Sequence, residues 1–569
     1  MGGGLLNLVA YGNLNVIVNG NPSKTFFKTT YAKYTNFGLQ KFRIDYSGLR
    51  TLRLNEDSVF TFRVPRYADL LMDTYIAIKL PNIWSPILHE NDENNQIPYE
   101  FKWIRDIGAQ IIKNIRLTVG GQLIQEFTGQ YLLNMVARDF PGAKQDFFNQ
   151  LIGNGSKEFG SQLTNPAFYG GKSIYGAGNN GVYPSAIYIP ESQGGPQPSI
   201  TSETIYIPIN IWSTLSSKMA FPLVALQYNY LQIEIECRPI TELFVIRDVL
   251  RPNIDDNNRG KYVRPDQNIP AYQFYRFLHP PPNNHLNETN NDVYIDKRTD
   301  WFSDIHLVST YAFLSDDEVR IFASKPQKYL IREVHEYDFY NVTGNQRTKI
   351  YSMGLVANWM WYFQRDDVDQ RNEWSNYTNW EYGVLEPAGP LPGQAFPNNR
   401  PFNQGSMPLG TYGAIRPQNQ RDIMLTWALL FDGKYRENPF PAEVYNMIEK
   451  YIRNGSYSES FLYCYNFCLD TSPFNLQPSG AVNLSKFSVI EFEYSTYTPP
   501  ADANAQTLVV CDDDSNPIGV NKPTWRLYDY NYNLHLMEER YNILIFESGN
   551  AGLINTPPVS PLNKALMPL

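Results

Sequence analysis

The chain has few charged residues, few cysteines and no long apolar run. Charged residues make up 18% of its 569 residues, and its formal net charge is −9. A chain with net negative charge lacks the basic surface that a direct nucleic-acid binder normally needs. No apolar stretch reaches the roughly 18 residues that a membrane-spanning helix requires. These absences argue against a nucleic-acid-binding protein and against a helical membrane protein.

Cysteine is too scarce for a disulfide scaffold, since only Cys237, Cys464, Cys468 and Cys511 occur in so long a chain. Cys464 and Cys468 are four residues apart, but no second pair of Cys or His residues accompanies them, as a zinc site would require. We therefore expect them to be buried, small apolar side chains in a protein that folds in a reducing compartment. The N-terminal stretch has no basic segment, so we expect no signal peptide.

Aromatic residues and strand-like alternation are abundant instead. Aromatics make up 14% of the chain, with 40 Tyr. Apolar and polar residues alternate in the segments 60–64, 76–80 and 231–237. This period-two pattern predicts strands with one buried face.

Signals for helices are few. Ser315 and Glu318 have the spacing of a capping box, which predicts a helix to about Lys325. Pro441 predicts the start of a second helix that ends at Gly455. The apolar stripe of this helix has helical spacing and comprises Val444, Met447, Ile448 and Tyr451.

Two stretches about 300 residues apart have the same local order of strand, glycine turn, strand and helix. The first is the strand 115–119, the pair Gly120-Gly121, a return strand through Phe127 and a helix from Tyr131 to Val136. The second is the strand 423–427, the pair Asp432-Gly433, a return strand and the helix at Pro441. If Gly120-Gly121 forms a two-residue turn, Leu117 lies opposite Ile124.

A later strand is also repeated, as Ile233–Glu236 in one half and Ile490–Glu493 in the other. The two copies of this strand are about 50 residues closer together in the sequence than the two copies of the hairpin. That difference matches a Gly/Asn/Ser-rich insertion near residues 150–200 of the first copy. We interpret the chain as one β-rich domain present twice.

Two segments resemble catalytic or metal-binding motifs, but each lacks a glycine that the motif requires. Gly171-Lys172-Ser173 resembles the end of a P-loop, but Pro166 stands where the first glycine is needed. The acidic run 512–516 begins like a calcium loop, but Pro517 replaces the essential glycine. We therefore predict no catalytic residue, no cofactor and no metal site.

One aromatic cluster leaves an alternative open. Stacked aromatics beside two carboxylates are typical of glycoside hydrolases. A two-domain β-sandwich that binds or hydrolyses polysaccharide is therefore the second interpretation, although packing of the aromatics in a core is favoured. The cluster comprises Trp359, Trp361, Trp374, Trp380, Asp366, Asp367 and Glu373.

Six Asn-x-Ser/Thr sequons are weak candidates for glycosylation, because several are expected by chance in an Asn-rich chain. They are Asn154, Asn287, Asn341, Asn376, Asn454 and Asn483.

Short segments spread along the chain resemble the major capsid proteins of nucleocytoplasmic large DNA viruses. They begin with the glycine-rich opening 2–12 and Thr25-Phe26-Phe27-Lys28, and continue with the segments 64–71 and 220–228. Phe431-Asp432-Gly433, the segment 477–480 and Tyr541-Asn542-Ile543-Leu544 follow in the same order. No single segment is specific to this family. The occurrence of all of them in the family's order, along nearly the whole chain, is specific.

The resemblance implies an all-β fold of two tandem eight-stranded jelly rolls, a double jelly roll with a few short helices and long loops. This agrees with the internal duplication. The expected divisions are an N-terminal arm at 1–27, a first jelly roll at 28–245 with a long loop at about 140–200, a connection at 246–300, and a second jelly roll at 301–569 with long loops at about 365–420 and 500–523.

The resemblance also implies a structural function without catalysis. Three copies would form a pseudo-hexagonal capsomer, and capsomers would tile an icosahedral shell in the virion after assembly in the host cytoplasm. Expected partners are two further copies of the chain, neighbouring capsomers, minor and penton capsid proteins and an internal membrane on the inner face, but not nucleic acid. A basic inner face would comprise Lys24, Lys28, Lys33, Lys41 and Arg43, although a solvated strand face explains these residues equally well. A surface adhesin is a third, weaker interpretation.

Overall fold

The computed structural model describes residues 3–84, 99–154, 198, 200–248, 264–268, 272–280, 294–379, 422–456, 461–498, 508–511, 517–521 and 530–555. Most of each predicted long loop lies outside these ranges, as do Asn287, Trp380 and the two failed motifs near residues 171 and 512.

Strands dominate both halves. The strands of the first half and its closing strand are β1 Gly38–Asp45, β2 Ser58–Arg63, β3 Leu70–Leu80, β4 Tyr99–Trp103, β5 Ile112–Val119, β6 Gln122–Phe127, β7 Glu203–Pro208, β8 Phe221–Pro222, β9 Leu231–Cys237, β10 Phe244–Asp248 and β11 His306–Phe313. The strands of the second half are β12 Gln327–Phe339, β13 Asn345–Lys349, β14 Leu355–Arg365, β15 Met424–Phe431, β16 Lys434–Pro441, β17 Tyr463–Asn466, β18 Val482–Asn483, β19 Ile490–Thr496, β20 Leu508–Cys511, β21 Pro517–Asn521, β22 Tyr532–Glu547 and β23 Asn550–Leu553.

The helices are short. They are α1 Gly3–Val9, α2 Asn15–Asn19, α3 Ile107–Gln110, α4 Gly129–Asp139, α5 Gly142–Leu151, α6 Trp212–Leu215, α7 Tyr275–Leu278, α8 Asp316–Ser324 and α9 Glu449–Arg453, with a π-helical turn at Val444–Ile448. Single 3-10 turns occur at Ser217–Met219, Leu223–Ala225, Ile240–Glu242, Asp369–Arg371 and Leu484–Lys486.

Each half is a sandwich of two four-stranded antiparallel sheets. In the first half the order β1-β11-β3-β7 faces the order β2-β9-β5-β6, with β8 added to β3. In the second half β12-β22-β14-β17 faces β13-β19-β15-β16, with β18 and β23 added to the first of these sheets. Side chains from both sheets of each half meet in one core. The chain is therefore a double jelly roll, as predicted.

The internal duplication is confirmed by equivalent positions in the sheets. The hairpins β5-β6 and β15-β16 each form one edge of a four-stranded sheet, and β9 and β19 each lie second from the opposite edge. Both hairpin turns have two residues with positive φ, Gly120 at 58° and Gly121 at 86°, and Asp432 at 49° and Gly433 at 76°. Two-residue turns of this kind match the right-handed twist of paired strands.

The predicted pairing of Leu117 with Ile124 is wrong. Val119 does pair with Gln122 across the predicted two-residue turn, but the register shifts between Leu117 and Thr118. A bulge at this point adds one residue to a strand, so Leu117 lies opposite Gln125 instead.

The predicted start of the second jelly roll at residue 301 needs correction. Strand β11, His306–Phe313, is hydrogen-bonded between β1 and β3 and so completes a sheet of the first roll. The chain thus returns to the first roll after the connection, and the second roll begins beyond residue 313. The other predicted boundaries stay predictions.

Helix α8 begins after Ser315 as predicted, but the expected capping box does not form. In the described chain the Ser315 side chain makes no capping hydrogen bond. The Glu318 carboxylate instead accepts a hydrogen bond of 2.6 Å from the Thr35 hydroxyl.

The second predicted helix is present, but only Val444 of the predicted apolar stripe packs against the core, and the other three residues are exposed. Met447 is 56% exposed and Tyr451 is 91% exposed. The π-helical turn explains the error, because its hydrogen bonds span five residues instead of four. Tyr445 and Lys450, five residues apart, are therefore the buried side chains, at 1% and 2% exposure.

The close approach of helix α4 to the backbone of residues 109–112 can be tested at Gly129, the first residue of α4. A Cβ atom built there would lie 1.9 Å from the Ala109 carbonyl oxygen and 2.7 Å from that of Ile112. We expect Gly129→Ala to lower the free energy of unfolding by about 2 to 3 kcal/mol, because backbone must move to relieve the overlap. Urea unfolding followed by fluorescence would measure the loss.

Gly38→Ala is the matched control, because the nearest atom to its added Cβ would be 4.0 Å away. Equal unfolding midpoints for the two variants would contradict the close approach of α4 to the backbone of residues 109–112.

Candidate functional site

The two jelly rolls meet along helix α4, and we call this contact the joint. Leu132, Met135 and Val136 of α4 belong to the core of the first roll. The same core includes Met360 and Met537 from strands β14 and β22 of the second roll. The joint is therefore a continuous apolar contact rather than two separate surfaces.

Strand β14 has two buried faces because of the joint. Side chains alternate along a strand, so Trp359 and Trp361 point into the core of the second roll. Met360 and Tyr362 point the other way and pack with the first roll. All four are 5% exposed or less. The sheet that contains β14 thus serves both rolls.

A buried ion cluster lies at the centre of the joint. The guanidinium of Arg138 on α4 donates to Asp139 at 2.6 Å, to Glu539 of β22 at 2.7 Å and to the side-chain oxygen of Asn358 at 2.7 Å. The Thr471 hydroxyl donates to Asp139 at 2.6 Å. Each of these five side chains is 2% exposed or less. Arg138 therefore links its own helix α4, in the first roll, to strands β14 and β22 of the second roll.

The cluster is charge-balanced. Arg332 of the second roll lies 3.9 Å from Glu539, so two arginines face two carboxylates. Burial raises the pKa of Asp139, although the neighbouring Arg138 charge opposes the shift. Burial acts in the same direction on Glu539, but the charges of Arg138 and Arg332 outweigh it and lower the pKa of that carboxyl. The two arginines therefore hold Glu539 in its charged form at the centre of the joint.

A third carboxylate of the joint, that of Glu336, binds the N-terminus of α4. Thr128 is the N-cap of this helix, and its N–H and hydroxyl donate to Glu336 of β12 at 2.8 and 2.9 Å. Burial raises the pKa of Glu336 to about 7, in spite of these hydrogen bonds. Glu336 therefore changes its charge near neutral pH at a contact between the rolls.

The segment 369–379 of the second roll also binds the first roll. The Asn372 side chain donates to the carbonyl oxygens of Thr241 and Phe244, each at 2.8 Å. The Trp374 indole donates to the Glu242 carbonyl oxygen at 3.0 Å. The same segment also reaches α4, where the Gln130 side chain donates to the Tyr377 hydroxyl. It therefore extends the contact between the rolls beyond the ion cluster.

Two apolar surfaces remain exposed on the described chain. The first is the segment before β1, residues 3–37, which is longer than the predicted arm 1–27 and which we call the arm from here on. It is exposed apart from the half-buried Asn15. Its large apolar side chains are Leu5, Leu6, Leu8, Val9, Tyr11, Leu14, Val16, Ile17, Val18, Phe26, Phe27, Tyr31, Tyr34 and Phe37. Exposed apolar surface of this extent is typical of a binding surface.

The second surface, which we call the helix patch, is the outer side of the π-helical turn and α9. Met447, Ile448, Tyr451 and Ile452 are between 53% and 91% exposed. The buried Tyr445 on the inner side donates to the Trp427 carbonyl oxygen at 3.1 Å. The patch is therefore held on the core of the second roll with its apolar side outward.

The predicted basic residues are exposed, but they do not form one set. Lys24, Lys28 and Lys33 lie on the arm, whereas Lys41 lies on β1. Arg43 is paired with Asp45 at 2.7 Å and with Asp304 at 2.6 Å. Its charge is thus largely compensated within the chain.

The predicted sequons differ in exposure. Asn341 and Asn483 are exposed. Asn376 is fully buried, and its side chain donates to Glu373 at 2.8 Å. Asn154 donates to Asp106 at 2.8 Å, and Asn454 is half-buried. Exposure therefore distinguishes Asn341 and Asn483 from the other described sequons.

The described part of the aromatic cluster near residue 360, which excludes Trp380, packs into the fold instead of forming a cleft with the nearby carboxylates. Trp359 and Trp361 are fully buried in the second core. Asp367 is bound by Arg365 and Arg371. Trp374 lies under the Arg238 guanidinium at 3.9 Å. These groups pack and pair within the fold.

Cys464 and Cys468 are buried, as predicted, and so is the free thiol of Cys237. Within the described ranges, no group of three or more His, Cys, Asp and Glu side chains is arranged to hold a metal ion. Among the helices that the structure describes, none has both the length and the apolar character needed to cross a membrane.

Sequence reasoning missed the residues of the joint. A signal existed in the run Glu538-Glu539-Arg540, which lies in the middle of a long, largely apolar strand. Glu538 and Glu539 point to opposite faces, and both are 2% exposed or less. Glu538 accepts from the Trp359 indole at 2.6 Å on its side. Charges in the middle of a buried strand predict internal pairing.

Two family models match this chain. The model of the "Major capsid protein N-terminus" matches residues 25–146. The model of the "Large eukaryotic DNA virus major capsid protein" matches residues 318–552. The first match includes α4, and the second includes most of the second roll.

Individual relatives are distant. The chain is 26% identical over 352 residues to the major capsid protein of Chrysochromulina ericina virus, which covers 59% of this chain and 52% of that protein. It is 21% identical over 554 residues to the major capsid protein of Paramecium bursaria Chlorella virus 1, which covers 97% and 99%. The alignments with the first three relatives span 37% to 52% of those proteins' lengths.

Solved structures show the same fold. A subunit of the quasi-atomic PBCV-1 virus capsid has a TM-score of 0.58 at 16% identity, covering 94% of this chain and 100% of that chain. The Faustovirus major capsid protein has a TM-score of 0.56 at 12% identity, covering 94% of each chain.

Removal of Arg138 tests the joint. Arg138→Ala leaves Asp139 and Glu539 buried without their common partner, so we expect the free energy of unfolding to fall by about 3 to 5 kcal/mol. Arg347→Ala is the control, because this arginine pairs with Glu493 while half of its side chain is exposed, and we expect a loss of at most about 1 kcal/mol. Urea unfolding at pH 7 measures both. Similar losses in the two variants would show that the cluster does not stabilise the joint.

Glu336 predicts a pH dependence of stability. Its folded-state pKa of about 7 lies above the ordinary 4.5, so the folded state binds a proton more tightly, and stability falls as pH rises between these values. Glu336→Gln removes this loss, and we expect it to raise the free energy of unfolding at pH 8 by about 1 to 3 kcal/mol. Urea unfolding at pH 5 and pH 8 measures the effect, with the exposed Glu56→Gln as control. A Glu336→Gln variant less stable than the parent at pH 8 would contradict it.

Proposed function

This chain belongs to the family of major capsid proteins of large eukaryotic DNA viruses, and on that basis we propose that it is the subunit from which the shell of such a virus is built. The match of one family model to each half of the chain supports this. The double jelly roll shared with capsid subunits of known structure supports it as well.

The joint is the structural observation that carries the proposal. A subunit that occupies two neighbouring positions of a six-cornered ring needs a fixed angle between its two rolls. The buried cluster of Arg138, Asp139 and Glu539 binds the rolls directly to each other. The segment 369–379 adds a second contact. A contact that extends over several points restricts rotation more than a single point does.

We propose that three chains close into a ring of six rolls. A closed three-fold ring needs heterologous contacts, in which one side of a chain meets a different side of the next. Permanent contacts of this kind are large and apolar at their centres. The helix patch has the composition of such a contact, and we assign it to the interface between subunits of the trimer.

The N-terminal arm is proposed to face the interior of the shell. Its exposed apolar and basic side chains suit either a minor capsid protein or the headgroup region of an internal membrane. Neighbouring capsomers and penton proteins would bind elsewhere on the subunit. A capsid subunit of this kind would be located in the virion shell, after assembly in the host cytoplasm.

The proposal includes no catalysis. A polysaccharide-active enzyme would need open aromatic platforms beside paired carboxylates. Trp359 and Trp361 are instead fully buried, and this disfavours the glycosidase and lectin alternative for the described part of the cluster.

The mass of the purified protein tests the proposal. We expect size-exclusion chromatography with light scattering to give about three times 65.5 kDa at micromolar concentration, and a mass that resists dilution, because large apolar interfaces bind tightly. A stable monomer would argue against a capsid subunit. Tyr451→Glu places a charge in the helix patch and should shift the mass towards 65.5 kDa.

Leu469→Glu is the control for the Tyr451 variant, because Leu469 is 76% exposed outside the patch. A trimer that Tyr451→Glu leaves intact would place the helix patch outside the ring contact.

A further inference from the structure

The joint shows how one roll of this chain binds another. Helix α4, which follows the hairpin β5-β6 of the first roll, lies on the outer face of the sheet β12-β22-β14-β17 of the second roll. The Arg138 guanidinium of this helix donates to Asn358 of β14 and to Glu539 of β22. The contact within the chain is therefore a helix of one roll against a sheet of the other.

The second roll has the same helix at the same place after its hairpin. Asn134-Met135-Val136 of α4 and Asn446-Met447-Ile448 lie at the same distance in sequence from the second residue of their hairpin turns. Met135 and Val136 are 2% and 3% exposed, whereas Met447 and Ile448 are 56% and 53% exposed. The helix that is covered in the first roll is thus open in the second.

The strand before this helix shows the same difference. Ile124 and Phe127 of β6 are buried, and β6 lies against β12 of the second roll. In β16 every residue except the half-buried Glu437 is exposed, and its apolar side chains include Tyr435 and Phe440. On this side, the second roll therefore lacks, within the described chain, the neighbour that the first roll has.

The first roll offers the sheet that such a neighbour needs. The order β1-β11-β3-β7 is equivalent to β12-β22-β14-β17, the sheet that receives α4. Ile76 of β3 and Leu307 of β11 point into the core, so Tyr75 and Val308, which lie opposite each other, point outward. Both are half-buried, and Tyr206 of the neighbouring β7 is 39% exposed. We call the apolar strip of Tyr75, Val308 and Tyr206 the sheet face.

The charges at the edges of the two surfaces are complementary. Lys41 of β1 and Lys79 of β3 are exposed beside the sheet face. Glu443, one residue before the π-helical turn of the helix patch, is exposed as well. Interfaces between proteins commonly have an apolar centre and a polar rim, and opposite charges across the rim align the partners. The helix patch and the sheet face together have both features.

We propose that the helix patch of one chain binds the sheet face of a second copy of this chain. Each chain has one helix patch and one sheet face, so the contact is heterologous and closes a ring when it is repeated three times. Three joints within chains then alternate with three equivalent contacts between chains. The inference rests on the proposed function and specifies the two surfaces that meet in the trimer.

Cross-linking of the full-length chain tests which surfaces meet. The variant carries Tyr451→Cys in the helix patch and Tyr75→Cys in the sheet face, together with Cys511→Ser, so that its other three cysteines are buried. A bismaleimide joins two nearby thiols through thioether bonds. We expect covalent trimers on a denaturing gel, because each contact brings together one new thiol of each kind.

Matched controls should remain monomeric on the gel. Tyr451→Cys alone and Tyr75→Cys alone each place a single new thiol at every contact. Leu469→Cys combined with Tyr75→Cys places one thiol outside the helix patch, where Leu469 is 76% exposed. All three samples should have the mass of the trimer in solution, so the gel separates the position of the thiols from assembly itself.

Substitution of the sheet face gives an independent test. Val308→Glu adds a charge to the proposed contact, and we expect the mass in solution to fall from that of the trimer towards 65.5 kDa. Val59→Glu is the control, because Val59 is 51% exposed on β2 of the opposite sheet, and it should remain trimeric. The circular dichroism of both variants should match that of the parent.

Three results would overturn the inference. The double-cysteine trimer could fail to cross-link, Tyr451→Cys alone could cross-link into dimers because two helix patches meet, or Val308→Glu could remain trimeric. Each of these leaves the proposed function standing, since the trimer still forms. A parent chain that is monomeric would overturn both proposals.

Discussion

Burial of the Arg138 guanidinium between the two jelly rolls is the interaction on which the rest of the structure depends. Removing a charge from water is costly, and only good geometry with several hydrogen bonds offsets the cost. Arg138 meets this condition only when α4 lies against β14 and β22 together, since its partners include Asn358 and Glu539 on those strands. Apolar contact alone would allow the rolls to slide or rotate, so we infer that the cluster selects one arrangement.

The same constraint explains the composition of the strands at the joint. A sheet with one wet face alternates apolar and polar residues, but β14 and β22 are buried on both faces over most of their length. Their sequences are therefore dense in aromatic and aliphatic residues, and their charged residues are paired internally. If the first roll were removed, Met360, Tyr362 and Met537 would face water. Neither roll is thus an independent unit, although each has a complete eight-stranded topology.

The local sequence pattern predicted those strands and turns whose conformation depends only on neighbouring residues. The strands 60–64 and 231–237 and the turns at Gly120-Gly121 and Asp432-Gly433 follow from alternation and from turn chemistry. The bulge at Leu117, the π-helical turn and the return of β11 to the first roll depend on packing that leaves no local pattern. The joint was missed for a related reason, because Glu538-Glu539-Arg540 has the composition of a solvated turn. Only the position of this charged run within a long, largely apolar strand indicated that the run is buried.

Rigidity at the joint has a consequence for assembly. In a ring of six rolls, an error in the angle between two rolls of one chain is repeated three times and prevents closure. The ion cluster and the contact of Asn372 with the first roll both oppose such rotation.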